Sequence, residues 1–453
     1  MATRVEHDSM GSIEVPAEHY WGAQTQRSRQ NFRIGGRMPV EVIRAMAQVK
    51  WAAAVANRDL GVLPERKAEA IVAVAREILA GDLDEEFPLV VFQTGSGTQT
   101  NSNLNEVIAN RGNESLGEAS LHPNNDVNAS QSSNDTFVTA MHVAGYAAAV
   151  DEVLPAVTRL RDSIAAKAEL WADVLKVGRT HLMDATPLRV GQEWSGYAAA
   201  LTDAIANLER QSTGLLEVAL GGTAVGTGMN APAGFTPAVV AALAEVTGHP
   251  FVPATNPFAA QATLDPMVRS HSALKDTAVA LFKIGNDLRW AASGPRTGLR
   301  ELRIPANEPG SSIMPGKVNP TQVEALLQVC LSVVGHDVTV SMAGAEGNFE
   351  LNVFRPVVID CYLRSASTLA AACESLRENL IEGTELDERR LRDNVANSVM
   401  VITALSPVVG YEKAAEVAHL AIEEDLSVRD AAVRCGLDPH LVDNLTTAAL
   451  GNG

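Results

Sequence analysis

The stretch VGQEWSGYAAALTDAIANL, residues 190–208, decides the fold class. Its large apolar residues recur every three or four positions, which places them on one face of an α-helix. These residues are Val190, Trp194, Tyr197, Leu201, Ile205 and Leu208. A second stretch repeats the pattern with Leu274, Ala278, Leu281, Ile284 and Leu288. Helical patterns of roughly 25 to 30 residues exceed the average globular helix of about 11 to 12 residues, so a bundle of long helices is predicted.

The flanking regions differ from this central one. Residues 1–131 combine short helical patterns, among them Val40–Leu60 and Glu65–Leu79, with loops rich in Gly, Pro and Asn. Residues 132–388 carry the long patterns, and residues 389–453 carry shorter ones. The shorter candidates are Val401–Leu405, Tyr411–Ile422 and Val428–Cys435. We expect an all-α, mainly helical fold: a central long-helix bundle flanked by smaller N-terminal and C-terminal helical domains.

Alanine runs occupy much of the packing surface of the long patterns. They are Ala147–Ala149, Ala198–Ala200 and Ala370–Ala372. Small side chains let helices approach closely, which suits either packing within one chain or association between subunits. The pattern leaves both open.

The composition limits the partners. The chain has 453 residues and a formal net charge of −18, with no run of Lys or Arg, so we expect no nucleic-acid partner. An acidic substrate would need positive potential concentrated locally by a few Lys or Arg residues, helix N-termini and backbone N–H groups.

Two further features concern location. The four cysteines, Cys330, Cys361, Cys373 and Cys435, lack the close spacings of zinc or redox pairs and are expected to be buried reduced thiols. Residues 1–12 are polar and charged, and no apolar run approaches the ~20 residues that span a bilayer. We expect a soluble, cytoplasmic protein without a membrane partner.

Four polar segments are the candidate sites for chemistry. They are TGSGTQTN (94–101), HPNNDVNASQSSND (122–135), GRTHLMDATP (178–187) and GSSIMPGKVNPTQVE (310–324). Each lies beside a predicted helix start, where free N–H groups and the helix dipole favour negative charge.

The fourth segment is the most informative. Asn319, Pro320 and Gln322 have the residue types of an N-cap, an N1 proline and a capping box, which predicts a helix with Lys317 at its positive end. Upstream, glycines and a proline bracket Ser311 in a segment that cannot be regular helix and that is suited to move as a lid. A lysine and a serine loop at a helix start suit a bound carboxylate.

Nucleotide and metal sites are disfavoured. Five residues separate Gly310 from Gly316, and Val318 stands where a P-loop has Ser or Thr. TGSGTQTN lacks the third glycine of a dinucleotide fingerprint, and no His, Asp or Glu pair has metal spacing. His181 precedes Thr186-Pro187, which has the pattern of another N-cap and N1 pair, and an isolated histidine is more often structural than catalytic.

At GSSIMPGKVNP the sequence resembles the aspartase/fumarase superfamily, whose members release fumarate by eliminating a group anti to a proton beside a carboxylate. The likeness runs almost end to end. It includes DSMGSIEVPAEHYWGAQTQRS (8–28), LGGTAVGTGMN (220–230), GNFELNVFRP (347–356) and ITALSPVVGYEKAAE (402–416). Aspartases usually have Ala where this chain has Gly316, so the class II fumarase branch is the better match.

The resemblance implies fumarate hydration to L-malate without metal or cofactor. It implies a homotetramer built on a shared multi-helix core, with each active site drawn from three subunits. Ser311 matches the general base that takes the C3 proton of malate, and Lys317 and Asn319 match the groups that stabilise the resulting aci-carboxylate. His181 matches a histidine that acts through water and pairs with Glu324.

The resemblance also assigns binding residues. Those matching groups that hold the substrate carboxylates are Ser96, Thr98, Ser132, Ser133, Asn134, Thr180, Lys317 and Asn319. His122 and Asn124 match an accessory dicarboxylate site, but Asn125 stands where relatives often have Asp, which weakens that match. Two other hypotheses stay open at this stage, an ammonia lyase of the same superfamily and a helical scaffold that has lost turnover.

Overall fold

The computed structural model describes residues 2–444, and within that range helices dominate, as expected. The first α-helices are α1 Ala23–Asn31, α2 Val40–Asp59, α3 Glu65–Ala80, α4 Thr98–Leu116, α5 Ser133–Ala147, α6 Leu154–Leu170, α7 Val190–Ser212 and α8 Phe235–Thr247. They are followed by α9 Pro257–Ala262, α10 Asp265–Ala291, α11 Thr321–Ala345, α12 Arg355–Leu376, α13 Glu388–Asn397, α14 Ser406–Val409, α15 Tyr411–Glu423 and α16 Val428–Arg434.

Short strands and irregular helices complete the described chain. The strands are β1 Thr3–Asp8, β2 Gly11–Pro16, β3 Leu175–Thr180, β4 Met183–Arg189, β5 Glu217–Val218, β6 Val252–Pro253, β7 Leu302–Arg303 and β8 Glu385–Leu386. They pair as two-stranded ribbons, β1 with β2, β3 with β4 and β7 with β8 antiparallel, and β5 with β6 parallel. Single 3-10 turns lie at Asp84–Glu86, Thr213–Leu216 and Val399–Ala404, and π-helical turns at Pro123–Val127, Ala148–Val153 and Arg377–Ile381.

The periodic stretches that predicted long helices are confirmed. Val190, Trp194, Tyr197, Leu201 and Leu208 are all buried on α7 and Ile205 is half-buried, so the apolar face is the packed face. The second stretch lies on α10 with every predicted face residue buried. The shorter N-terminal patterns are α2 and α3, and the C-terminal patterns are the 3-10 turn, α15 and α16.

Contacts between Cα atoms divide the chain into two compact units. Unit 1 contains the chain up to Pro155 together with Ala206–Ala278 and Val329–Ala370. Unit 2 contains Ala156–Ile205, Val279–Gln328 and the chain from Ala371 onward. The predicted division into three consecutive domains, with boundaries after residues 131 and 388, stays a prediction. Residues 445–453 of the predicted C-terminal domain lie outside the described range.

Unit 1 is organised around α2, whose alanine-rich faces pack against α3, α5 and α8. Unit 2 holds the β3–β4 hairpin, which contacts α13, and a separate small core in the C-terminal region. That core consists of Ile402, Leu405, Ala414, Val417, Ala421, Ala431, Ala432 and Val442.

Two helical stretches, Ser133–Leu170 and Thr321–Ala345, have the length and mean hydropathy of a membrane span. Both contain charged residues, so neither is an uninterrupted apolar run. Buried core helices of soluble proteins pass the same test, and 67% of the apolar window of Ser133–Leu170 is buried within the protein. Only 33% of the window of Thr321–Ala345 is buried, so α11 presents apolar surface to its surroundings.

A buried polar network inside unit 1 makes a testable contribution to stability. The Asp337 carboxylate accepts hydrogen bonds from His271 Nδ1 at 3.0 Å and Lys275 Nζ at 2.7 Å. Ser365 Oγ lies 3.0 Å from His271 Nε2 and 3.0 Å from His336 Nδ1. Burial alone raises the pKa of Asp337, but the hydrogen bonds from His271 and Lys275 outweigh it and lower the pKa to about 2.

We expect Asp337→Asn to lower the free energy of unfolding at pH 7 by about 2 kcal/mol. Because the folded-state pKa lies below the unfolded value, this stability is present above about pH 4 and is lost as the pH falls toward 2. Thermal unfolding of both proteins from pH 7 to pH 3 should show the difference shrinking. Asp393→Asn, which alters an exposed carboxylate on α13, is the control, and a constant difference at all pH values would contradict the expectation.

Candidate active site

Two hydroxyl groups of the first polar segment lie in a row with one from the second. Ser96 Oγ lies 2.8 Å from Thr98 Oγ1, which lies 2.7 Å from Ser133 Oγ. Two glycines hold this arrangement. A Cβ on Gly95 would lie 1.4 Å from the Val353 carbonyl oxygen, and Gly97 has φ 77°. Because neither backbone position accepts a side chain, the glycines fix the entry into α4.

The second segment forms the N-terminus of α5. Ser132 is its N-cap: the Ser132 hydroxyl accepts from Asn134 N, and the Asp135 carboxylate accepts from Ser132 N at 2.9 Å. The Asn134 side chain donates to the Ala224 carbonyl at 2.9 Å, which fixes its orientation. The predicted residues Thr98, Ser132, Ser133 and Asn134 therefore meet at one helix start.

Charged residues beneath this helix start were not among the predicted site residues. Asp135 is fully buried, and its second oxygen accepts from Gly221 N at 3.0 Å and Thr223 N at 2.9 Å. Burial raises the pKa of Asp135 to about 6, although these hydrogen bonds act to lower it. Arg355, also fully buried, donates to the carbonyl oxygens of Asn134 at 2.7 Å and Gln261 at 2.5 Å.

Burial lowers the pKa of Arg355 to about 10, and the charge of Asp135 partly opposes this. Arg355 lies in GNFELNVFRP, one of the motifs on which the family likeness rests. An arginine inside an apolar run, here as the first residue of α12, is the signal that could have marked it as buried and functional.

A cleft of about 680 Å³ opens beside these groups in unit 1. Its wall contains Thr98, Ser132 and Ser133 together with Asn124 and Asn125. Every residue in that wall is uncharged, being Ser, Thr, Asn, Gln, Ala or Met. The cleft can therefore hydrogen-bond a ligand through many neutral donors.

The predicted accessory residues form a tight loop. His122 is the N-cap of the π-helical turn at Pro123–Val127, and its Nδ1 accepts from the backbone N–H groups of Asn124 and Asn125, each at 3.1 Å. The neutral ring therefore carries its proton on Nε2. The Nδ1 atom of His122 is thus occupied by backbone contacts, and the accessory site stays a prediction.

The third segment is a β-hairpin, so the predicted helix start at Thr186-Pro187 is wrong. Both residues lie in β4, where Pro187 pairs with Val177 of β3, and α7 begins only at Val190. Two adjacent residues, His181 and Leu182, form the turn between Thr180 and Met183 with φ values of 56° and 62°. Positive φ at both positions is typical of a type I′ turn, which normally uses Asn and Gly, so the sequence carried no turn signal.

Buried charges anchor this hairpin within unit 2. Glu301 pairs with Lys176 at 3.1 Å and Arg179 at 2.8 Å, and Lys176 also pairs with Glu193 at 2.7 Å. Burial raises the pKa of Glu301, but the two cations outweigh it and lower the pKa below its ordinary value. Thr180 and His181 are exposed at the tip of a hairpin whose base is thus held firmly.

The fourth segment is a closed loop. Gly310 N donates to the Lys317 carbonyl at 2.9 Å, and the Asn319 side chain donates to the Gly310 carbonyl at 2.8 Å. The helix α11 begins at Thr321, slightly later than expected, and Asn319 closes the loop instead of capping the helix. Within the loop, Ser311 Oγ accepts from the backbone N–H groups of Ile313 at 3.3 Å and Met314 at 3.1 Å.

The predicted site residues thus fall into two groups. Ser96, Thr98 and residues 132–134 lie together in unit 1. Thr180 and His181 lie on the hairpin of unit 2, and Ser311, Lys317, Asn319 and Glu324 lie in and after its closed loop. Among residues 2–444, no hydrogen bond or ion pair joins His181 to Glu324, so their pairing stays a prediction. No group of three or more His, Cys, Asp or Glu residues in the described part of the chain could hold a metal ion.

Comparisons with known proteins identify the family. A lyase family model matches residues 11–335, and a model of the fumarase C C-terminus matches residues 401–449. The fumarate hydratase class II of Methanosarcina acetivorans is 56% identical over 96% of this chain and 91% of its own length. That of Thermosynechococcus vestitus is 54% identical over 96% of this chain and 94% of its own.

Solved structures agree with these matches. The class II fumarase of Schistosoma mansoni superposes with a TM-score of 0.96 at 38% identity, covering 98% of both chains. A fumarate lyase:delta crystallin from Brucella melitensis, solved with bound cobalt, superposes with a TM-score of 0.95 at 41% identity, covering 99% of both chains. The chain therefore belongs to the class II fumarate hydratases, hydro-lyases of the aspartase/fumarase superfamily.

Proposed function

We propose that this chain catalyses the reversible anti addition of water to fumarate, giving L-malate, with Ser311 as the general base. The observation that supports the base role most directly is the environment of its hydroxyl. Ser311 Oγ accepts two backbone N–H groups, from Ile313 and Met314. Backbone donors of this kind stabilise an alkoxide, which a free serine does not form near neutral pH.

In the dehydration direction, Ser311 takes the C3 proton of malate. The electron pair moves onto the C4 carboxylate, which becomes a dianionic aci-carboxylate. Lys317, an exposed ammonium beside the start of α11, and the Asn319 side chain stabilise that developing charge. Collapse of the intermediate expels hydroxide from C2 and leaves fumarate.

The leaving hydroxide requires a proton. We assign this step to a water held by His181, with Glu324 orienting the imidazole. His181 stands on an exposed turn and Glu324 is exposed on the first turn of α11, so both side chains are accessible to a second subunit. In the hydration direction the same pair activates the attacking water.

Neutral donors orient the substrate carboxylates. Ser96, Thr98, Ser132, Ser133 and Asn134 supply hydroxyl and amide groups at the positive end of α5. Thr180 adds a hydroxyl from the hairpin, and Lys317 and Asn319 bind the carboxylate that becomes the aci-form. We assign His122, Asn124 and Asn125 to an accessory dicarboxylate site.

The active enzyme is proposed to be a homotetramer in which three subunits build each site. Apolar side chains are exposed in a stripe along α11 at the helical spacing of one face. Its members are Leu331, Val334, Val338 and Met342, which are 38% to 64% exposed. A stripe of this kind marks a contact surface, and shared helices between subunits would cover it. We place the protein in the cytoplasm, where its buried thiols at Cys330, Cys361 and Cys373 stay reduced.

The function is tested with purified protein and a panel of L-malate, fumarate, L-aspartate and argininosuccinate. We expect malate to generate the ultraviolet absorbance of the conjugated diacid in metal-free buffer. Ammonia release from aspartate at a higher rate than malate dehydration would make the chain an ammonia lyase. Absence of turnover on the whole panel would favour the scaffold hypothesis.

A further inference from the structure

The cleft in unit 1 has no charged side chain in its wall, although the proposed substrate is a dianion. Neutral donors orient a carboxylate, but they do not replace the favourable field that a dianion loses when it leaves bulk water. The formal charge of the whole chain, −18, acts against such a ligand. Lys317, the ammonium assigned to one substrate carboxylate, does not belong to this wall, so a positive charge close behind the wall would supply the missing field.

Lys50 lies directly behind the wall. It is a fully buried residue of α2, and its ammonium donates to Asn128 Oδ1 at 2.9 Å and Gln131 Oε1 at 3.0 Å. Both amide residues line the cleft. Asn128 Oδ1 also accepts from Asn101 at 3.0 Å and Asn105 at 3.2 Å, and these two residues line the cleft as well.

This arrangement orients the wall. The carbonyl ends of the Asn128 and Gln131 amides point at the ammonium, so the side-chain amides in this wall are fixed by their contacts with it. The Gln131 amide nitrogen in turn donates to the carbonyl oxygens of Val127 and Ala129, and Ser132 follows immediately as the N-cap of α5. Lys50 thus holds the backbone that leads into the helix start.

The buried charges beneath the start of α5 sum to a positive value. Lys50 and Arg355 are buried cations, and Asp135 is a buried anion whose charge acts on both. Two cations and one anion leave one net positive charge at this helix start when all three are ionised. Glu106 on α4 is a further buried carboxylate at the cleft: it accepts from the backbone N–H of the wall residue Gln24 at 2.7 Å, and burial raises its pKa. His142, buried on α5, adds no charge near neutral pH because burial lowers its pKa to about 4.

We propose that Lys50 is the positioning residue that makes this cleft select dicarboxylates, by supplying its positive potential and by holding Asn128 and Gln131. This inference rests on the proposed function. Lys50 does not touch the substrate: its ammonium is enclosed by the amides of the wall. It raises affinity for the ground state and the transition state alike, so its removal changes KM far more than kcat.

The protonation of Lys50 provides a signature that a purely structural lysine would not give. Burial lowers its pKa to about 7, and the negative charge of Asp135 on α5 opposes this effect. Because only the protonated form attracts anions, dicarboxylate binding should weaken as the pH rises above 7. An arginine at this position would stay charged throughout that range.

The test measures succinate, a dicarboxylate that cannot be dehydrated, binding to the intact enzyme by titration calorimetry. We expect Lys50→Gln to raise Kd and the KM for malate by on the order of 30-fold, with kcat within about threefold. Lys50→Arg should restore binding and remove the pH dependence between pH 6.5 and 9. The matched control is Lys67→Gln. The Lys67 ammonium is partly exposed and donates at 2.8 Å to Asp126, which lies in the same 122–131 loop as Asn128 and Gln131. Lys67→Gln should change Kd less than twofold.

Unchanged succinate affinity in folded Lys50→Gln would overturn the proposal, as would an equal pH dependence in wild type and Lys50→Arg. If the variants fail to fold, the pH dependence of succinate affinity in the wild-type protein tests the proposal. Succinate stays a dianion above pH 6.5, so a flat affinity from pH 6.5 to 9 would exclude a titrating lysine. Wild-type protein that lacks turnover on malate would refute the proposed function instead.

Discussion

Replacing Ser311 by alanine is expected to lower kcat for malate dehydration by about 10³-fold, the middle of the range for loss of a general base. The hydroxyl has no packing role: Ser311 lies in a surface loop, and within residues 2–444 its oxygen accepts only the N–H groups of Ile313 and Met314. Fold, oligomeric state and KM should therefore stay close to wild type. Initial rates with malate and with fumarate measure kcat and KM, and size-exclusion chromatography measures the oligomeric state.

Ser312→Ala is the matched control, because the next serine is exposed in the same loop. We expect Ser312→Ala to lower kcat by less than about tenfold. The difference in kcat between the two variants then separates base chemistry from loop geometry. A Ser311→Ala enzyme that kept near-normal kcat would remove Ser311 from the base role. Equal losses in both variants would instead indicate that the loop acts as a lid without a specific base.

Arg355→Met is expected to lower the free energy of unfolding by about 3 to 5 kcal/mol. The guanidinium is fully buried, and its loss leaves the carbonyl oxygens of Asn134 and Gln261 without their donor. It also removes one of the two buried cations whose charges interact with Asp135, leaving Lys50. Because Asn134 belongs to the start of α5, turnover should fall as well, by at least tenfold in the fraction that stays folded.

Arg364→Met on the same helix is the comparison for that experiment. Arg364 is exposed and pairs with Asp360 one turn earlier, an interaction worth about 0.3 to 0.5 kcal/mol. Thermal and denaturant unfolding should show a much larger loss in the free energy of unfolding for Arg355→Met than for Arg364→Met. Similar stability losses would show that the carbonyl contacts of Arg355 contribute little.

Much of the fold followed from helical periodicity because large apolar faces must be buried. The patterns that became α7 and α10 were long, regular and free of competing turn chemistry, so burial and propensity agreed. The hairpin at β3 and β4 escaped prediction for the opposite reason. Thr186-Pro187 has the local pattern of a helix start, yet pairing with β3 overrides it, and the His181-Leu182 turn lacks the residues that usually announce one.

The site was predictable only in part. Polar loops at helix starts pointed to the segments that hold Thr98, Ser133 and Ser311. Their functional roles came from the family resemblance and stay proposals. The sequence pattern could not show that the buried charges act together, because Lys50, Asp135 and Arg355 are far apart in the chain. Only the folded structure shows that they lie beneath one helix start.

The turn at His181 and Leu182 affects how this enzyme would respond to laboratory selection. Left-handed backbone at two adjacent non-glycine residues is unfavourable, and Asn or Gly at position 182 would relieve it. A screen that rewards heat tolerance alone should therefore enrich such replacements early. A screen that demands turnover should retain the imidazole at position 181, and the two populations would diverge first at this pair of codons.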